Sequence, residues 1–282
     1  MAVYTFYRNG GKMERVETGI AGLDSLIGGG IPKGFNVLIV GRPGTGKTIF
    51  GLQYLYNGAL KGENGLYVTI DAAGALTRQQ AETLGWNFKK LESEKKICIL
   101  DVPLNRQLRL NLFRLIETKV KEYNVKRIVF DSLSSFMFNI NQFNIRLPNI
   151  DDLTLLSKED AEYLEEDIGT MEHIPEAVQK LKPDPVNYSI FARQRVIYLM
   201  FKEFSTLGTT NVMITSASSK TPEATVDGVS EYVADGVIDL KSLAIGETLS
   251  RTLSVKKMRF TDMDGGIKSY DITSKGLTLV RE

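Results

Sequence analysis

The chain has 282 residues, with 35 basic and 34 acidic side chains, a formal net charge of +1, 43% hydrophobic and 24% charged residues. That length holds a well-buried core, and the near-neutral balance does not point to a nucleic-acid partner, although a local basic face is compatible with a neutral total. The single cysteine, Cys98, and the single histidine, His173, exclude an internal disulfide and a Cys/His zinc site, and no apolar run reaches membrane-spanning length, so a cytoplasmic protein is expected.

In chain order, GFNVLIVG (34–41) is an apolar, β-branched run ending in glycine, which predicts a buried strand. From Lys47 to about Leu60, Ile49, Leu52, Leu55 or Tyr56, and Ala59 recur at helical spacing, and Gly62 follows. GLYVTID (65–71) predicts a second strand, closing on Asp71. An amphipathic stretch from Leu76 to Leu84 precedes KICILDV, a strand in which Cys98 is expected to be buried. A helix is predicted from about Leu108 to Tyr123, and KRIVFDS (126–132) is another apolar strand, closing on Asp131. A helix around Phe191–Leu207 leads into NVMITS (211–216).

Strands that alternate with helices, and that are continuously apolar, predict a largely parallel sheet covered on both faces. The pieces DGVIDLKS, RTLSVKKMRF, GIKSYDIT and GLTLVRE predict an antiparallel C-terminal extension of the same sheet. No linker separates a second domain, so one domain is expected over 1–282. It carries an acidic insertion at about 141–187, where DDLTLLSKEDAEYLEEDIGTME has nine acids and one lysine. A solvated helical excursion or a mobile loop explains such a segment, and so does a lid or a docking surface for a protein partner.

GRPGTGKT (41–48) matches G-x-x-x-x-G-K-[ST] through Gly41, Gly46, Lys47 and Thr48, with a strand before it and a helix after it. Glycines let backbone N–H groups close around a phosphate, and the helix N-terminus faces the same anion. Lys47 reaches the β- and γ-phosphates, and the Thr48 hydroxyl completes a magnesium shell. Such an ion also wants a carboxylate at the end of a neighbouring strand. Asp131 and Asp71 are the candidates, and Ser132 and Ser134 after Asp131 favour the former.

The stretch VETGIAGLDSLIGGGIPKGFNVLIVGRPGTGKTIFGLQYLYNGALKGENGLYVTID resembles the opening of the RecA-like ATPases of the circadian-clock KaiC type. KRIVFDSLSSF, NVMITS, DGVIDL and SVKKMR follow in the family's order, so the resemblance spans about 14–280 apart from the acidic segment. It implies a RecA-like P-loop NTPase core that binds ATP with Mg2+, and a homo-oligomer, commonly a six-membered ring with nucleotide between subunits. By position it implies a phosphate loop of Gly41, Arg42, Pro43, Gly44, Thr45, Gly46, Lys47 and Thr48, with Asp131 as the second nucleotide motif. Ser216 would sit near the γ-phosphate, and Lys257 and Arg259 would reach the neighbour's nucleotide.

Two positions depart from the family pattern. Asp71 and Ala72 stand where the family usually has adjacent glutamates, and Ala217 stands where it often has a glutamate after the strand. Binding does not depend on those acids. Hydrolysis does, so slow turnover with Asp71 as the base is expected. Two other accounts remain open. A DNA recombination or repair ATPase of the RecA/RadA type is disfavoured by the acidic excursion. An autokinase or a non-hydrolysing regulatory binder is the other, and Ser132, Ser134 and Ser135 are better explained as rim and packing residues.

Overall fold

A computed structural model describes residues 13–70, 74–102, 112–142, 185–218, 225–245, 248–263 and 266–280. The elements begin with β1 (Arg15–Val16), α1 (Leu23–Leu26), β2 (Ile31–Pro32), β3 (Asn36–Gly41) and α2 (Lys47–Leu60). They continue with β4 (Gly65–Thr69), α3 (Gly74–Thr83), α4 (Phe88–Ser93), β5 (Ile97–Asp101), α5 (Leu112–Tyr123) and β6 (Arg127–Asp131). Then come α6 (Leu133–Gln142), α7 (Pro185–Thr206), β7 (Thr210–Ser216), α8 (Ser230–Val233) and β8 (Gly236–Ile245). The hairpin strands β9 (Thr248–Met258), β10 (Ile267–Thr273) and β11 (Gly276–Leu279) close the chain.

The predicted strands assemble into one sheet of nine, in the order β11-β10-β9-β8-β3-β7-β6-β4-β5. From β8 to β5 every pairing is parallel, and β9, β10 and β11 extend the sheet antiparallel, as the apolar patterns predict. Alternation along each strand feeds two cores. Val37, Ile39, Tyr67, Val129 and Ile214 face α2, α3 and α4 in one, while Leu38, Val40, Leu66, Val68 and Phe130 face α5, α6 and α7 in the other. Cys98 is buried, as expected for KICIL. Among the described residues no helix is long and apolar enough to cross a membrane.

Helix α2 is more deeply embedded than its periodicity predicts. Phe50 and Tyr54 are buried along with Leu52, Leu55 and Ala59, because the N-terminal segment and β11 cover the side turned away from the sheet. A Cβ at Gly51 would come within 2.7 Å of Val129 Cγ1, so glycine there lets α2 lie close on β6. Buried Gln53 ties both chain ends to the helix. Its Nε2 donates to the carbonyls of Gly19 (3.3 Å) and Leu277 (3.1 Å), and its Oε1 accepts from Leu277 N–H (2.7 Å). Arg127, buried at the start of β6, donates to Glu63 and to the carbonyls of Glu17 (2.8 Å) and Tyr54 (3.0 Å). Together these contacts fix the rise of α2 from the sheet. They set the direction in which its N-terminus points.

One helix differs from its predicted bounds, and one short helix was not predicted. The helix before β7 begins at Pro185 rather than near Phe191, and Pro suits a first helical turn, where its missing N–H costs nothing. The short α4 was not legible as a periodic run; Asn87 caps it by accepting from Lys90 N–H at 2.9 Å. The acidic segment and residues 108–111 lie outside the described residues.

Candidate functional site

The loop between β3 and α2 stands at the carboxyl end of the parallel sheet, beside the ends of β6 and β7. Gly46 is the N-cap of α2, with φ 91 in the left-handed region and no side-chain cap, so the first-turn N–H groups of the helix face outward into the loop. Its lack of a side chain has a second cause: a Cβ there would lie 2.6 Å from Ile272 Cδ1 on β10. At Gly41 a Cβ would meet Thr45 Oγ1 at 2.5 Å and Leu240 O at 2.6 Å. The loop is therefore tight at both feet, while Arg42, Pro43 and Gly44 form an exposed tip. Thr45 draws it together by donating its hydroxyl to Arg42 O at 2.8 Å.

Lys47 folds back over this loop and donates to the carbonyls of Gly41 (2.7 Å) and Arg42 (3.0 Å). Burial holds its pKa below the ordinary lysine value, against the opposing pull of Asp131. Thr48, one residue on, donates its hydroxyl to Asp131 Oδ2 at 2.8 Å. Alternation along β6 explains the meeting. Asp131 shares the face of Val129, the face that α2 covers.

Two tyrosines that the sequence reasoning missed complete the site. Tyr67 on β4, buried beneath α2, donates its hydroxyl to the same Asp131 Oδ2 at 2.6 Å. Burial, reinforced by the Asp131 charge, pushes its pKa well above the ordinary tyrosine value, so the phenol remains a donor. Tyr270 on β10, also buried, donates to Thr45 O in the loop at 2.5 Å. The available signal was a tyrosine at a strand position expected to be covered, since a buried phenol needs an acceptor.

Ser216 ends β7 opposite Gly41, and its Oγ lies 3.3 Å from Ser134 Oγ. Ser134 is in turn 3.0 Å from Ser132 Oγ, which also lies 2.8 Å from Ser135 Oγ. The structure thus gathers Lys47, Thr48, Asp131 and Ser216 at one end of the sheet. Asp71 and Ala72 lie outside the described residues. Lys257 and Arg259 are not part of the gathering. Lys257 pairs with Val237 while Gly41 pairs with Leu240, which puts Lys257 about 10 Å back along the strands, with Arg259 farther still. Met258 between them is buried, as alternation predicts. Lys257 donates to the carbonyls of Glu231 (3.1 Å) and Tyr232 (3.0 Å), and Arg259 pairs with Asp235 at 2.9 Å.

The donor set suits a polyphosphate with a hard cation. Among the described residues no cluster of three or more His, Cys, Asp or Glu could hold a metal alone. The oxygens that this end of the sheet offers a cation are the Thr48 hydroxyl and the Asp131 carboxylate, both hard donors.

The family model described as "ATPase: KaiC" matches residues 16–155 and 186–282. A UPF0273 protein of Thermotoga maritima is 30% identical, over 95% of this chain and 96% of its own length. The circadian clock oscillator protein KaiC of Nostoc sp. is 26% identical over 96% of this chain but only 45% of its own length. The crystal structure of a KaiC-like protein from the hyperthermophilic archaeon Pyrococcus horikoshii OT3 superposes with a TM-score of 0.68 at 27% identity, covering 96% of this chain and 100% of that one.

Proposed function

Because the chain belongs to the KaiC-like family of RecA-type ATPases, we propose that it binds ATP with Mg2+ and hydrolyses it slowly within an assembly of its own copies. The observation that carries this reading is the convergence of Lys47, Thr48 and Asp131 around a glycine loop at the N-terminus of α2. Lys47 exchanges its two carbonyl partners for phosphate oxygens, and the anion offsets the burial that disfavours its charge. The N–H groups of the first turn of α2 face the same phosphates. Thr48 would turn an oxygen lone pair to the cation while its hydroxyl keeps donating to Asp131, and Ser216 would donate its hydroxyl to a γ-phosphate oxygen. Mg2+, when bound, neutralises charge on the β- and γ-phosphates.

Asp71 is the proposed base for the attacking water. Lys257 and Arg259, set back from their own loop, serve the nucleotide of a neighbouring copy, which makes the working form a homo-oligomer, in our reading a ring of six. Their partners within the chain are carbonyls and one carboxylate, which phosphate oxygens replace on assembly. The Asp71–Ala72 pair supports one other reading, a regulatory binder that holds ATP without turning it over.

Titration with ATP and Mg2+, phosphate release and sedimentation on the same preparation separate these readings. Slow hydrolysis predicts saturable binding, and release per chain that rises with protein concentration as copies associate. Ala72→Glu should then raise release with little change in ATP affinity. Saturable binding with release at background in both chains would leave the regulatory binder standing. Absence of saturable binding would remove both.

A further inference from the structure

We infer that Tyr67 is a positioning residue for the cation site, holding Asp131 so that Thr48 and Asp131 meet Mg2+ in a fixed arrangement. The inference rests on the ATP–Mg2+ reading of the loop. Its geometry is the double donation to one oxygen: Tyr67 Oη at 2.6 Å and Thr48 Oγ1 at 2.8 Å both lie on Asp131 Oδ2.

Strand register makes this specific. The direct cross-strand partner of Asp131 is Thr69, whereas Tyr67 pairs with Val129, so the phenol reaches forward along the face to find the carboxylate. A diagonal neighbour lies within range of an aromatic or other long side chain. The remainder of GLYVT is buried, and phenylalanine would fill the same volume beneath α2 without a hydroxyl to satisfy. A tyrosine is therefore accounted for by the acceptor at Asp131 and not by packing. Two donors on one oxygen also restrict rotation of the carboxylate and hold its other oxygen in a fixed direction. Groups that orient a metal ligand from behind act in this way, and losing one commonly weakens metal affinity by a factor of ten or more.

The test is a Mg2+ titration of ATP binding in the full chain, for the parent, Tyr67→Phe, Asp131→Ala and the double variant. Tyr67→Phe should raise the Mg2+ concentration for half-maximal effect about tenfold, leaving ATP affinity without Mg2+ unchanged. In the Asp131→Ala background the same substitution should do nothing further, since its action runs through that carboxylate. A half-saturation equal to the parent's, or a shift of the same size in both backgrounds, overturns the inference and leaves the ATP reading intact. A parent whose ATP binding ignores Mg2+ overturns the reading and the inference together. If Tyr67→Phe does not fold, 3-fluorotyrosine at position 67 of the parent replaces it. Its 19F resonance should move when Mg2+ is added to the ATP-loaded chain, and an unmoved resonance overturns the inference.

Discussion

The two ends of the parallel sheet treat their polar side chains differently. At the carboxyl end, side chains from α2, β4 and β6 bond to one another, and Asp131 alone accepts from Thr48 and Tyr67. Farther back from that end, Lys257 and Arg259 bond to carbonyls of α8 and to Asp235, acceptors 24 to 26 positions earlier in the chain. We read the first arrangement as a site built within one chain, and the second as a pair of cations held for a neighbouring copy, about 10 Å or more back from their own loop. Nucleotide binding should therefore be a property of the single chain, and the cations should matter only between chains.

The largest effect expected from breaking this contrast is at Lys47. Lys47→Ala removes the half-buried ammonium and should weaken ATP binding by more than about a hundredfold, measured by equilibrium titration. An unchanged dissociation constant would sink the site. Next comes Asp131→Ala, which should shift the Mg2+ dependence of ATP binding by about a hundredfold, while binding without Mg2+ changes little. A mutant that responds to Mg2+ like the parent would move the cation site elsewhere.

Mixing sharpens the comparison between the ends. A Lys47→Ala chain still carries its cations, and a Lys257→Ala/Arg259→Ala chain still binds ATP with parental affinity. Combined in a verified mixed assembly, with turnover measurable in the parent, the two should recover part of the phosphate release each has lost. No recovery at any ratio would favour plain solvated charge at the far end. The smallest effect belongs to Tyr270→Phe, which frees Thr45 O from its β10 donor and should weaken ATP binding about fivefold through a looser loop. If affinity holds within twofold, the β10 contact is packing only.

Much of the binding half was legible in advance. Gly41, Gly46, Lys47, Thr48 and Asp131 are fixed by local rules: a strand that ends in glycine, a helix that starts on a left-handed residue, and an acid in phase with the covered face of its strand. Tyr67 was passed over because its apolar neighbours made it read as core, and its acceptor lies 64 positions along the chain. Tyr270 lies 225 positions from the carbonyl it holds, a separation over which no periodicity carries information.

The amino-acid sequence thus determined the nine strands of the sheet, its longer helices and the glycine loop with Lys47, Thr48 and Asp131, because these depend on neighbours along the chain and on the two-residue alternation of strands. Strand order was decided only by tertiary structure. Placing β3 between β7 and β8 brought Ser216 beside Gly41, and threading β10 past the loop gave Thr45 and Gly46 their partners in Tyr270 and Ile272. The antiparallel register of β8 and β9 then carried Lys257 and Arg259 away from the loop that their own chain provides. Order and register arise from packing two faces of one sheet at once, and that is a property of the whole chain.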